Sequence, residues 1–93
     1  MQQAFTVTLR QGNVWVLECH GDADEVQQVR ATMSDESIVR LSSWSKGGGR
    51  NMEELRIATA VTQMANAQTR GQREDFAISD QEVDIFLATA IKH

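Results

Sequence analysis

The chain predicts an α+β domain in the order β-β-α-β-α-α, with a small three-stranded, mainly antiparallel sheet and helices packed on one face. Three observations carry that expectation. The N-terminal segment alternates apolar and polar residues, as half-buried strands do. Three helix-start signatures follow: Asp22-Ala23-Asp24-Glu25, Asn51-Met52-Glu53-Glu54 and Ser79-Asp80-Gln81-Glu82. Each signature leads into apolar residues at helical spacing. In such a signature the cap side chain accepts from an orphan N–H of the first turn. The Glu three places on reaches back to the cap's own N–H, and its charge suits the positive end of the helix.

Residues 4–10 set Phe5, Val7 and Leu9 against Thr6, Thr8 and Arg10, which predicts a strand. Residues 14–19 predict a second, and Gly12-Asn13 marks a hairpin between them. A two-residue loop, Gly12-Asn13, would pair Leu9 with Val16 and bring Glu18 onto the apolar face. A three-residue loop, Gln11-Gly12-Asn13, pairs Leu9 with Trp15, Val7 with Leu17 and Phe5 with Cys19. It separates apolar from polar side chains far better, so it is the expected register, with Asn13 in the left-handed conformation.

Asp22 then opens a helix to about Met33, with Ala23, Val26, Val29 and Met33 on one stripe. Ser34-Asp35-Glu36-Ser37 reads as a turn. Ile38 to Trp44 reads as the third strand, with Val39 and Leu41 on one face and Ile38, Arg40, Ser42 and Trp44 on the other. Ser45 to Arg50, with its three glycines, reads as a mobile loop. A helix over 52–70 stops at Gly71, Gln72 to Asp75 form a polar connector, and Ser79 caps a last helix striped by Val83, Phe86, Leu87, Ala90 and Ile91.

A chain of 93 residues is the size of one domain, 1–93, able to bury roughly two-thirds of its unfolded surface. The net charge is −4, and the nine basic residues are scattered, which disfavours nucleic acid as a partner. The longest aliphatic or aromatic run, Val14 to Leu17, is far short of the roughly 20 residues a membrane helix needs. Met1-Gln2-Gln3-Ala4 carries no basic region followed by an apolar stretch, and there is one cysteine. The expected setting is therefore reducing and cytoplasmic.

The helix over 52–70 is the most unusual element, because Ile57 to Thr69 holds no charge. Its apolar arc covers about half the circumference, against the usual stripe of roughly 100°. The remainder is Thr59, Thr62, Gln63 and Asn66, which are neutral where a solvated face normally carries Lys and Glu. Such groups hydrogen-bond across an interface without the desolvation cost of a charge. Together with Trp44 and Arg40, residue types that dominate binding hot spots, they form the candidate partner-binding set. The expected partner is a protein or a second copy of the chain, as in a homodimer. The alternative is an anion site built from Lys46, Gly47, Gly48, Gly49, Arg50 and Asn51, where exposed N–H groups, a helix start and two cations could hold a phosphate. The loop matches neither the Walker A pattern nor Gly-x-Gly-x-x-Gly.

No catalytic, cofactor or metal constellation emerges. Cys19 and His20 are neighbours on a strand, so their side chains point to opposite faces and the imidazole cannot readily deprotonate the thiol. Cys19 extends the apolar face of Trp15 and Leu17 and reads as an inert buried thiol. Adding Asp22 and Asp24 makes Cys-His-Gly-Asp-Ala-Asp, which lacks zinc-type spacing. The carboxylates fall mostly in helix first turns and connectors, where capping and solubility account for them.

Overall fold

The apolar alternation of the N-terminal third goes into one face of a four-stranded sheet. The computed structural model describes residues 4–20, 26–48, 52–68 and 75–91. Three strands come first: β1 (Phe5–Gln11), β2 (Val14–His20) and β3 (Val26–Thr32). Helix α1 (Asp35–Ser45) runs into a single 3-10 turn, Lys46–Gly48, before α2 (Glu53–Gln68). A short strand β4 (Phe76–Ala77) and helix α3 (Asp80–Ile91) complete the chain. The strands lie in the order β1-β2-β3-β4, antiparallel except for the β3–β4 pair, which is parallel. The class is α+β as expected, but the described residues form four strands, not three, and their order is β-β-β-α-α-β-α.

Two elements exchange type relative to the sequence reading. The expected helix from Asp22 to Met33 is strand β3 over Val26–Thr32, while residues 21–25, including its cap, lie outside the described residues. Val26, Val29 and Met33 fit a helical stripe, but Val29, Ala31 and Met33 also fit a period of two, and these three are buried. Pairing with β2 decides the contest: Leu17 opposes Val29 and Trp15 opposes Ala31, extending one apolar face across both strands. The expected strand from Ile38 to Trp44 is helix α1. Ser34 caps it, accepting from the Ser37 N–H at 3.1 Å, with Asp35 and Glu36 in the first turn. Its buried residues, Ser37, Leu41 and Ser45, recur every fourth position. Two serines on that line let α1 lie close to its neighbours.

The hairpin obeys both candidate registers at once. Near the turn, Leu9 opposes Val16 and Arg10 opposes Trp15, so the loop is the two-residue Gly12-Asn13. Gly12 has φ +58, the left-handed value such turns favour. Farther out, Val7 opposes Leu17 and Phe5 opposes Cys19, as the three-residue register requires. A bulge at Thr8 absorbs the difference. Beyond it the faces exchange. Leu9 turns outward and is 52% exposed, while Arg10 joins the face of Trp15 and lays its guanidinium 4.8 Å from the ring centroid.

The core is the sheet face of Phe5, Trp15, Leu17, Cys19, Val29 and Ala31, roofed by Leu41 of α1, Ile57, Val61 and Met64 of α2, and Val83 and Leu87 of α3. Cys19 is buried with a free thiol. The edge strand β1 is held to α2 by Asn66, whose Oδ1 accepts from the Phe5 N–H at 2.8 Å and whose Nδ2 donates to the Phe5 carbonyl at 3.4 Å. At the other edge, the Ile78 N–H donates to the Thr32 carbonyl at 2.9 Å.

The ends of α1 and α3 meet at Asp80. Its Oδ1 accepts from the hydroxyls of Ser34 at 2.5 Å and Ser37 at 2.6 Å. Those bonds hold the carboxyl below its ordinary value of 3.8, with Arg40 adding a smaller pull in the same direction. Ser79 caps α3 by accepting from the Glu82 N–H at 3.1 Å, as the capping box predicts. The Glu82 carboxyl is pushed up by partial burial, opposed by a hydrogen bond from the Ser79 backbone.

A carboxyl with a depressed folded-state pKa stabilises the fold above its unfolded value and loses that contribution as pH falls through the folded value. Asp80 is therefore expected to titrate below 3.8 in a carbon-detected carboxyl titration, and Ser37→Ala to raise that midpoint. Urea midpoints should fall with pH below about 4, and Asp80→Asn should flatten that acid limb. A midpoint at or above 3.8 would contradict the serine joint.

Candidate functional site

Helix α2 turns its buried line, Ile57, Ala60, Val61, Met64 and Ala65, toward the core. Its opposite flank helps build a groove of about 460 Å³ on the helical layer. Met52, Leu55, Arg56, Thr59, Ala60 and Gln63 come from or just precede α2, Phe86, Thr89 and Ala90 come from α3, and Trp44 comes from α1. Met52 and Leu55 are 46% and 57% exposed and adjoin Trp44 and Phe86 in one contiguous apolar lining, the arrangement that marks a contact surface where a lone exposed side chain does not. Among the described residues, one charged residue, Arg56, lines the groove.

Trp44 organises this corner. Its ring meets Phe86 edge-on, with centroids 5.3 Å apart and planes at 85°. The Arg56 guanidinium lies 4.3 Å over its face. Each contact is worth on the order of 0.5–1.5 kcal/mol. Arg40, one turn earlier on α1, pairs with Asp84 of α3. Both partners of that pair are at least a third exposed, so it adds under about 1 kcal/mol. The aromatic wedge, more than the ion pair, locks α1 to α3.

The candidate partner-binding set divides. Trp44, Thr59 and Gln63 come together in the groove. Arg40 lies beside it in the pair with Asp84. Thr62 uses its hydroxyl within α2, donating to the Ala58 carbonyl at 2.9 Å, and Asn66 uses its amide on Phe5. Trp44 stands on a helix, not on the open face of a sheet, and its cationic neighbour is Arg56, not Arg40. Sequence reasoning missed Met52, Arg56 and Phe86 as groove residues. Phe86 was legible as part of the α3 stripe, but its role depends on Trp44 being helical.

Of the candidate anion loop, Lys46 to Gly48 form a 3-10 turn that prolongs α1. The Lys46 N–H is turned back to the Ser42 and Trp44 carbonyls, which leaves it unavailable to a ligand. Gly49, Arg50 and Asn51 lie outside the described residues.

A second hollow of about 380 Å³ lies where the bulge at Thr8 and Arg10 face Glu54 and Ile57 of α2. Trp15 borders it, and the buried Trp15 Nε1 has no hydrogen-bond partner among the described residues. Arg10 is already engaged there, its Nε donating to the Gly12 carbonyl at 3.1 Å. Among the described residues no three His, Cys, Asp or Glu side chains are placed to hold a metal ion, and no helix is long and apolar enough to cross a membrane.

No family model matches the chain, and no curated protein or solved structure matches it significantly.

The hydrogen-bond assignments separate structural from surface positions on α2. Asn66→Ala removes two bonds to the edge strand and is expected to cost about 1–2 kcal/mol in urea unfolding. Gln63→Ala is expected to change stability by less than about 0.5 kcal/mol. Equal costs for the two would contradict the placement of Asn66 on Phe5.

Proposed function

We propose that this protein is a small interaction module, acting as a regulator, inhibitor or assembly factor, that binds a protein partner or a second copy of itself through the groove between α2 and α3. In this reading it carries no catalytic centre and no cofactor, and works in the cytoplasm. The supporting observation is the groove itself: exposed Met52 and Leu55 beside Trp44, with neutral Thr59 and Gln63 where a solvated helix face would carry charge. Aromatic and Met side chains are enriched at interfaces, and Lys and Glu are depleted there. A half-buried Trp flanked by a stacked Arg is the kind of residue pair on which binding energy concentrates.

The apolar lining implies an interaction that survives salt. Contacts made mainly by burying apolar surface change little with ionic strength, whereas surface ion pairs are screened over about 10 Å at 0.1 M salt. Thr59 and Gln63 are exposed, and their side chains make no hydrogen bond among the described residues, so replacing them perturbs the surface alone.

The combined variant Thr59→Lys, Gln63→Glu is expected to keep the wild-type circular dichroism spectrum. It should lose both concentration-dependent self-association in sedimentation equilibrium and retention of a stoichiometric partner at high salt. Association of every kind unchanged in the variant would overturn the proposal.

A further inference from the structure

We propose that the groove takes an amphipathic helical segment that presents a single carboxylate to Arg56; this rests on the interaction-module reading and specifies its partner. The geometry of the groove points to a helix. Its α2 wall follows Leu55, Arg56, Thr59 and Gln63 and is extended by Met52 just before the helix, a ridge of about 16 Å at helical rise. An apolar channel along such a ridge is suited to a second helix bearing apolar side chains at i, i+3, i+4 and i+7.

The carboxylate follows from desolvation. Arg56 stacks one face on Trp44 and has no hydrogen bond or ion pair among the described residues. A purely apolar occupant would bury the guanidinium with its N–H groups unpaired, which is among the costliest arrangements in an interface. An occupant carrying a carboxylate at that position turns the same burial into a charge-assisted, bidentate pair. Among the described residues no acidic side chain lines the groove to compete for it. The chain as a whole carries −4, so a strongly acidic partner would be repelled at long range. The charge that fits is one acid set in an otherwise apolar and neutral helix face.

The test is selection from a displayed library of random peptides, each about 16 residues long to cover the groove with a turn to spare, on wild-type protein and on Arg56→Glu. The expected outcome is enrichment of apolar residues at helical spacing together with one Asp or Glu on wild type, replaced by Lys or Arg on Arg56→Glu. Should Arg56→Glu fail to fold, Arg56→Gln serves, and the acidic preference should vanish on it. For a synthetic peptide from the wild-type selection, Glu→Gln should weaken binding at least about thirtyfold on wild type and not at all on Arg56→Gln. Peptides whose binding Thr59→Lys, Gln63→Glu abolishes, but which show no acidic preference, would overturn the carboxylate inference and leave the groove as an interaction surface. Recovery of no peptide that depends on Thr59 and Gln63 would overturn both.

Discussion

A sheet with one apolar face has to be covered, and that requirement shapes everything else in this protein. Trp15, Leu17 and Cys19 of β2, flanked by Phe5 on β1 and by Val29 and Ala31 on β3, are nearly inaccessible to water. Burial of apolar surface is worth roughly 25 cal/mol per Å², or about 1.5–3 kcal/mol for each large side chain fully buried, so the face as a whole gains far more than an exposed ion pair supplies. The chain meets the requirement with a single helical layer. The bulge at Thr8 belongs to the same solution, since it lets a two-residue turn coexist with Phe5 and Val7 on the core face and turns Leu9 away from it.

One layer of helices leaves the outer side of that layer to water, and there the composition of α2 acquires a meaning. Its uncharged residues do three different things. Ile57, Val61 and Met64 roof the sheet. Thr62 and Asn66 are occupied by hydrogen bonds inside the fold. Thr59 and Gln63 face outward beside Leu55, Phe86 and Trp44. The core explains the first group and backbone satisfaction explains the second. The third serves neither, and it coincides with the exposed apolar groove, so an interaction surface is the reading that uses all of α2. The Trp44 wedge gives that groove a rigid wall, because the ring is held from one side by Phe86 and from another by Arg56.

The parts of the fold legible in the sequence were those where one pattern dominates locally. The first two strands, α2, and α3 with its Ser79 cap follow from clean periodicity and cap chemistry. The middle of the chain did not, for two physical reasons. Val29 and Met33 satisfy helical and strand periods together, Val26 fits only the first and Ala31 only the second, and only the cross-strand partners on β2 choose between them. In Ile38 to Trp44 the alternation of Val39 and Leu41 outweighed the cap chemistry of Ser34, Asp35 and Glu36, which in the fold sets a helix start. The two-residue strand β4 carries too little pattern to be read and exists through its pairing with Ala31 and Thr32. The site was half legible for the same reason. The neutral face of α2 could be read directly, whereas Phe86 and Arg56 join it only once α1 is a helix that brings Trp44 between them.

The placement of Trp44 therefore carries both the fold and the groove, and nuclear Overhauser contacts of its indole ring in an isotope-labelled sample test it most directly. The account predicts contacts to the Phe86 ring and upfield-shifted Arg56 side-chain protons, with helical backbone shifts through 35–45. Contacts from the indole to residues of the sheet, with extended backbone shifts through Ile38 to Trp44, would contradict it.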